Sequence, residues 1–132
     1  MQELASRWLD ADRSNDIETL VRISGTPFYF HNQIVLTVSD LRADYRITHS
    51  AIDTPYKVVS MKPYTIGEVK KTHTDASRDR FANSILLADS DWLVQVGMRT
   101  NSEPVDNLVL FIRYIEGVPR IVGWWVPPRQ GV

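Results

Sequence analysis

The segment TPFYFHNQIV, residues 26–35, contains the side chain of this sequence best suited to acid or base chemistry. It places His31 after three consecutive aromatic residues. Because an unperturbed histidine has a pKa of about 6.5, His31 can take or give a proton at neutral pH. Tyr29 alternates with His31 and would share its face of an extended chain, which makes Tyr29 a candidate hydrogen-bond donor. The alternative interpretation is a solvated histidine at a turn, because the sequence supplies no evident partner for a base.

Histidines occur at positions 31, 49 and 73, so a metal site is possible by number alone. Their spacing matches no ligand motif and the carboxylates are scattered, and we therefore predict no bound metal. The chain contains no cysteine, which excludes thiolate nucleophiles and cysteine-ligated metals. Its six glycines form no phosphate-binding loop, so the sequence predicts no cofactor.

Arg113 is a charged residue within a predicted strand, on the same face as Val109 and Phe111. A charge in a strand requires solvent or a partner group. Arg113 therefore either reaches a carboxylate ligand in a pocket or lies at the surface or the rim of a dimer. Capping and turn formation explain the aspartates near predicted helix ends and turns, which are Asp12, Asp16, Asp89 and Asp91.

Apolar residues three and four positions apart predict a first helix of about three turns. Its buried face consists of Leu4, Ala5, Trp8 and Leu9. A second helix follows a polar stretch that offers three capping residues, Ser14, Asn15 and Asp16. We expect this second helix to end at Gly25 and Pro27, so that two antiparallel helices begin the fold.

Residues 28–36 have the composition of a strand interrupted by polar residues 31–33, which predicts a tight hairpin. Ser39 and Asp40 are predicted to cap a third helix that carries Leu41, Tyr45 and Ile47. Residues 48–55 are then expected to form a loop.

The remainder of the chain predicts strands at 56–63, 92–99, 105–115 and 119–126, joined by short turns into an antiparallel sheet. Between the first two, Thr65 and Glu68 match a capping box. Phe81 and Ile85 have helical spacing, so residues 65–91 are predicted to be helical.

Both alternating faces of segment 105–115 are apolar at the centre. Such a sheet must be covered twice, so we expect helices on one face and a partner subunit or a curled edge on the other. Trp124 and Trp125 would then point to opposite faces, one as a core anchor and the other as an interface anchor.

The bulk composition predicts one globular domain that spans residues 1–132. A formal net charge of −1 without a basic stripe argues against nucleic-acid binding and against anionic membranes. No apolar run reaches the length of a membrane span, and no secretory signal is evident. We therefore expect a soluble, cytoplasmic protein.

Trp8 lies on helix one, the segment Asn15-Asp16-Ile17-Glu18-Thr19-Leu20 opens helix two, and Pro27-Phe28 enters the hairpin. This order of elements resembles the nuclear transport factor 2-like superfamily. The resemblance implies an α+β fold in which a curved antiparallel sheet wraps around three N-terminal helices, as a cone with an internal pocket. It also implies a homodimer formed through the sheet. Ketosteroid isomerase, scytalone dehydratase and polyketide cyclases share this fold with many members that only bind, so the fold does not define the function.

The isomerase pattern transfers to this chain at one of its three positions. The tyrosine of helix one falls at Trp8, whose indole N–H donates but is not the same acid. The protonated aspartic acid of a late strand falls near Val109 and Leu110, which are apolar. The general base falls close to His31.

These observations predict a protein that binds a small apolar ligand, without a complete catalytic set. The pocket would be lined by Trp8, Tyr29, His31, Tyr45, Trp92, Phe111 and Arg113. One alternative is an isomerase, dehydratase or cyclase-like lyase with His31 as general base and Tyr29 or Trp8 as donor. The other is a subunit or interaction module that uses a sheet face.

Overall fold

The computed structural model describes residues 1–30, 33–47, 56–72, 87–99 and 106–126. Within these ranges the chain is an α+β fold with one six-stranded sheet. The helices are α1 (Gln2–Arg13), α2 (Ile17–Ile23), α3 (Val38–Ile47) and α4 (Ile66–Thr72). The strands are β1 (Ser24–Phe30), β2 (Gln33–Val35), β3 (Lys57–Thr65), β4 (Trp92–Arg99), β5 (Asp106–Ile115) and β6 (Val118–Trp125), in the spatial order β2-β1-β6-β5-β4-β3.

The first two helices form as predicted, and Asp16 is the residue that caps α2. Its carboxylate accepts hydrogen bonds from the backbone N–H of Thr19 at 3.2 Å and from Thr19 Oγ1 at 2.7 Å. These bonds favour the ionised carboxylate and lower the pKa of Asp16. Asn15 has a φ of 55°, a left-handed conformation that asparagine tolerates and that lets the chain reverse between α1 and α2.

The predicted end of α2 is confirmed within two residues, but β1 begins earlier than the predicted strand. The helix ends at Ile23, and Gly25 and Pro27 already lie within β1. The tertiary reason is that Ser24 already pairs with Ile121 of β6, so the extended conformation begins directly after the last helical turn.

The third helix begins earlier than predicted. Its capping side chain is Thr37, whose Oγ1 accepts a hydrogen bond from the Asp40 backbone N–H at 3.1 Å, so Ser39 and Asp40 are inside the helix. Leu41 and Tyr45 are buried as expected, whereas Ile47 is 77% exposed and belongs to no apolar face.

The β1–β2 hairpin and the four later strands are confirmed. For these four strands, β3 to β6, the observed bounds differ from the predicted ones by no more than two residues. The capping box also forms: Thr65 Oγ1 accepts from the Glu68 backbone N–H at 3.1 Å, and a Glu68 carboxylate oxygen accepts from the Thr65 backbone N–H at 3.2 Å. It starts α4, which ends at Thr72. Residues 87–91, the end of the stretch predicted to be helical, form a turn instead, closed by a hydrogen bond from the Asp91 N–H to the Ala88 carbonyl. The predicted loop at 48–55 and the helical pair Phe81 and Ile85 lie outside the described residues.

The sheet is mixed, because one of its strand pairs is parallel. Strands β1–β2, β3–β4, β4–β5 and β5–β6 are antiparallel as predicted, but β1 runs parallel to β6. Gly123 allows this close approach, since a Cβ there would lie 2.9 Å from the Tyr29 carbonyl oxygen and 3.1 Å from Phe111 Cδ2. The predicted antiparallel sheet is thus corrected at this one pairing.

The two faces of the sheet contact different apolar clusters, as the double-sided pattern of segment 105–115 predicted. On one face, α1, α2 and α3 pack against alternate residues of β4 and β5 and against Ile121 and Trp124 of β6. We call this the helix-side cluster, and its residues include Leu4, Trp8, Leu9, Phe28, Leu41, Tyr45, Tyr56, Val94, Val96, Leu108, Leu110, Ile112 and Trp124. On the opposite face, the outer cluster consists of Ile66, Val69, Leu93, Val109, Phe111 and Val122.

Helix α4 covers part of the outer face, because Ile66 and Val69 are buried in the outer cluster. Tyr64, Ile115 and Trp125 pack around its margin and are only partly buried. Trp124 and Trp125 therefore lie on opposite faces of the sheet, as alternation along β6 predicted.

Candidate functional site

A chain of buried hydrogen bonds crosses the helix-side cluster. Trp8 Nε1 lies 3.2 Å from Tyr45 Oη, Tyr45 Oη lies 2.9 Å from Ser24 Oγ, and Ser24 Oγ lies 2.6 Å from the Leu20 carbonyl oxygen. It connects α1, α3, the start of β1 and the last turns of α2.

The direction of each bond in this chain follows from the chemistry of the groups. The carbonyl of Leu20 only accepts, so the single Ser24 hydroxyl proton is donated to it. Ser24 Oγ must therefore accept from Tyr45 Oη, which in turn accepts from the Trp8 indole N–H, a donor only. The proton of every group in the chain is placed by this argument.

Burial raises the pKa of Tyr45 to about 12, against the opposing effect of its hydrogen bonds with Ser24 and Trp8, and the negative charge of Asp12 raises it further. Tyr45 is therefore protonated at neutral pH. It is a neutral hydrogen-bond donor and does not act as a base.

Aromatic rings surround this hydrogen-bonded chain. The Trp8 and Trp124 ring centroids are 6.3 Å apart, and the Phe28 and Tyr45 rings meet edge to face at 5.8 Å. Three of the predicted lining residues lie here: Trp8 and Tyr45 are in the helix-side cluster, and Trp92 packs against it. The interior between helices and sheet is therefore aromatic, and its central polar groups are paired with one another.

The structure places two other predicted lining residues on the opposite face of the sheet. Tyr29 and Phe111 are in contact edge to face, with centroids 6.3 Å apart, in and beside the outer cluster. Alternation explains this division, because Phe28 and Leu110 point toward the helices and their neighbours must point away. The predicted lining set is thus divided between the two faces. His31 lies outside the described residues.

Arg113 also lies on the outer face, and its partner is Asp91 of the same chain. Arg113 Nη2 lies 2.6 Å from Asp91 Oδ2, and Arg113 Nε lies 3.1 Å from Asp91 Oδ1, a two-point contact. Oδ2 of Asp91 also accepts the Ala88 backbone N–H at 2.7 Å, and the Asp91 carbonyl accepts from the Ile66 N–H at 2.8 Å. The pair thus connects β5 to the turn before β4 and to the start of α4.

The prediction of a turn around Ser90 is confirmed by the Asp91 N–H bond to the Ala88 carbonyl. The prediction missed the ionic role of the Asp91 side chain, which is only 6% exposed. The signal available in the sequence was Arg113 itself, because an arginine within a strand that is apolar on both faces requires a carboxylate.

A second polar group lies at the end of α1, beside the start of β3. Arg13 Cζ lies over the Tyr56 ring, 4.8 Å from its centroid, and Arg13 Nη2 lies 3.2 Å from Asp10 Oδ1. Tyr56 is 8% exposed and Asp12 is also buried. Burial raises the pKa of Tyr56; the charge of Arg13 opposes this effect, whereas Asp12 and Asp10 reinforce it. Sequence reasoning did not identify Tyr56, because a tyrosine at the start of a strand carries no local signal of this environment.

Two further properties concern only the described parts of the chain. No group of three or more histidine, cysteine, aspartate or glutamate side chains is placed so that it could hold a metal ion. None of the helices combines the length and the apolar character needed to cross a membrane.

Comparison with solved structures shows which known fold the chain has. The chain matches an NTF2-like protein of unknown function from Pseudomonas putida KT2440, with a TM-score of 0.53 and 12% sequence identity. The match covers 98% of this chain and 86% of the other. No protein-family model and no curated protein matches the sequence. The chain therefore has the nuclear transport factor 2-like fold that its element order resembles.

Proposed function

We propose that this protein binds a small apolar molecule between its three N-terminal helices and the sheet. The observation that carries this proposal is the aromatic interior around the hydrogen-bonded chain of Trp8, Tyr45 and Ser24. Ligand sites are typically apolar and aromatic, with a few fixed polar groups that determine orientation. The aromatic rings would supply the apolar contacts to the ligand, whereas the Tyr45 proton is already donated to Ser24 and is not available to it.

Within this proposal the lining residues are Trp8, Tyr45 and Trp92, because they share the helix-side cluster. Tyr29, Phe111 and Arg113 are on the outer face and are assigned to the packing of that face. His31 remains a prediction for the pocket rim. The proposed location is the cytoplasm, on the basis of the cysteine-free sequence.

The indole N–H resonances of the four tryptophans test the proposal directly. Titration of the folded protein with ethylbenzene should shift the signals of Trp8, Trp92 and Trp124 in a saturable manner, because all three lie in or against the helix-side cluster. Trp125, on the other face of the sheet, is the internal control and should be unaffected. Replacing each tryptophan in turn by phenylalanine assigns the signals. If no indole signal shifts, or if all shift in parallel without saturation, the protein has no such site.

The enzymatic alternative rests on His31 as general base. It predicts that His31→Ala lowers turnover of a substrate by about two to four powers of ten. A variant with unchanged turnover would remove His31 from any mechanism.

A second proposal concerns the outer face, which we assign to a homodimer interface. The supporting observation is its partly buried margin of Tyr64, Ile115 and Trp125 around an apolar cluster. Large aromatics at the edge of an apolar patch are typical of subunit interfaces. The interaction-module alternative would use the same face for a different chain.

Light scattering tests the dimer. The wild type should have about twice the chain mass of 15.1 kDa, and Trp125→Glu should have the mass of one chain. Tyr114→Glu is the matched control, because Tyr114 is already 53% exposed at the end of β5. A wild type that stays monomeric at high concentration would contradict this assignment.

A further inference from the structure

Among the residues that the structure describes, Tyr56 has a buried hydroxyl oxygen with no hydrogen-bond partner. A polar group that is removed from water without a partner typically destabilises a protein, and nearly all buried polar groups therefore have one. Tyr56 also belongs to the helix-side cluster, in which the hydroxyls of Tyr45 and Ser24 are both bonded. The unpaired hydroxyl is therefore an exception within an otherwise satisfied interior.

The side chains around Tyr56 determine what a partner must be. Desolvation favours the protonated hydroxyl, so at neutral pH Tyr56 has a proton to donate and requires an acceptor. The charges near Tyr56 are of both signs, from Arg13, Asp12 and Asp10. Because Tyr56 lies in a buried apolar cluster, an anionic acceptor would carry a large desolvation cost, whereas a neutral carbonyl oxygen would not.

We propose that the Tyr56 hydroxyl donates a hydrogen bond to a neutral carbonyl group, such as a ketone, ester or amide, of the molecule that binds in the helix-side interior. This inference rests on the proposed ligand-binding function and specifies the chemistry of the ligand. The apolar remainder of the ligand lies against the helix-side cluster.

Arg13 acts as the cover of this site. Its guanidinium lies over the Tyr56 ring, and its side chain is 44% exposed and forms an ion pair with the exposed Asp10. The surface ion pair contributes little to stability, whereas a cation over a buried ring such as Tyr56 contributes more. Arg13 would give up this contact with the ring when a ligand enters.

Three probes of nearly equal size test the proposal: acetophenone, ethylbenzene and benzoate. Acetophenone has a neutral carbonyl, ethylbenzene has no hydrogen-bond acceptor, and benzoate has an anionic acceptor. Their dissociation constants are measured by NMR titration on the wild type, on Tyr56→Phe and on Tyr114→Phe. The last variant removes the same oxygen atom from an exposed tyrosine and is the matched control. The infrared stretching frequency of the acetophenone carbonyl reports the hydrogen bond itself.

We expect acetophenone to bind the wild type about tenfold more tightly than Tyr56→Phe, a difference that corresponds to about 1.4 kcal/mol. Ethylbenzene should bind both proteins equally, and benzoate should bind more weakly than acetophenone. The carbonyl stretch of bound acetophenone should move to lower frequency in the wild type and in Tyr114→Phe, but not in Tyr56→Phe.

Two results would overturn this inference while leaving the proposed function intact: equal acetophenone affinity of wild type and Tyr56→Phe, or an unshifted carbonyl stretch. Failure of all three probes to bind the wild type would overturn the proposed function and this inference together. Thermal unfolding is the second measurement. If Tyr56→Phe unfolds at a markedly lower temperature than Tyr114→Phe, the hydroxyl has a partner within the protein and the inference is wrong.

Discussion

Removing the carboxylate of Asp91 should destabilise the fold more than any comparable change at an exposed ion pair. In Asp91→Ala the Arg113 guanidinium loses a two-point contact and the Ala88 N–H loses its acceptor. Breaking a fully buried ion pair typically costs 3–5 kcal/mol, but the Arg113 side chain is 25% exposed and solvent compensates in part. We therefore expect a loss of about 2–3 kcal/mol in the free energy of unfolding.

Urea unfolding followed by tryptophan fluorescence measures this loss from the shift in midpoint at constant slope. The control is Glu18→Ala. Glu18 contacts Arg42 through the same kind of bond at 3.1 Å, but its side chain is 67% exposed. That variant should lose less than about 1 kcal/mol.

A double-mutant cycle with Arg113→Met completes the test. If the pair is coupled, the loss in the double variant is smaller than the sum of the losses in the two single variants. Additive losses, or a loss in Asp91→Ala no larger than that in Glu18→Ala, would refute the assignment of this pair as a connection between β5 and the turn before β4.

Three further predictions concern single positions. The pKa of Tyr45 is raised to about 12 in the folded protein and is near 10 in the unfolded chain. The free energy of unfolding should therefore fall by roughly 2–3 kcal/mol as the pH rises from 10 to 12. Tyr45→Phe should lack this loss in urea unfolding across that range. Thr65→Ala removes the capping box of α4 and should cost about 1 kcal/mol in urea unfolding, whereas Thr65→Ser should restore most of it. Gly123→Ala places a methyl group against Tyr29 and should lower stability by about 1–3 kcal/mol, measured by thermal unfolding.

Each of these three has an outcome that contradicts it. An identical pH dependence above pH 10 in Tyr45→Phe and wild type would mean that Tyr45 does not titrate from a buried position. A Thr65→Ala variant as stable as wild type would show that the capping box does not stabilise α4. For position 123, the control is Gly117→Ala. A methyl group at 117 would meet no atom within 4 Å, but Gly117 has a φ of 77°, so the loss of stability there would come from backbone strain alone. A smaller loss at 123 than at 117 would show that the strands do not approach closely there.

Local chemistry made several parts of this fold predictable from the sequence. The Asp16 cap and the Thr65–Glu68 capping box act over three residues and need no tertiary partner. Alternation along β6 likewise placed Trp124 and Trp125 on opposite faces before any partner strand was known. The order of elements was sufficient for the fold resemblance that the structural comparison confirms.

Errors arose where a distant segment overrode the local signal. The strand was predicted to begin at Phe28, yet β1 begins at Ser24, because Ser24 pairs with Ile121 of β6. The predicted lining set placed Tyr29 and Phe111 together with Trp8, although they lie on the opposite face of the sheet. Which residues of different strands share a face depends on strand order and register, and the sequence does not give these.

The sequence by itself determined the elements, their approximate bounds and the presence of two apolar faces, since these depend on spacing within a few residues. Only the tertiary structure decided the parallel pairing of β1 with β6 and the partnership of Asp91 with Arg113, 22 positions apart. It also decided that the Tyr45 hydroxyl is paired while the Tyr56 hydroxyl is not. The physical reason is that hydrogen bonds and ion pairs depend on distances in space, which a linear pattern does not contain.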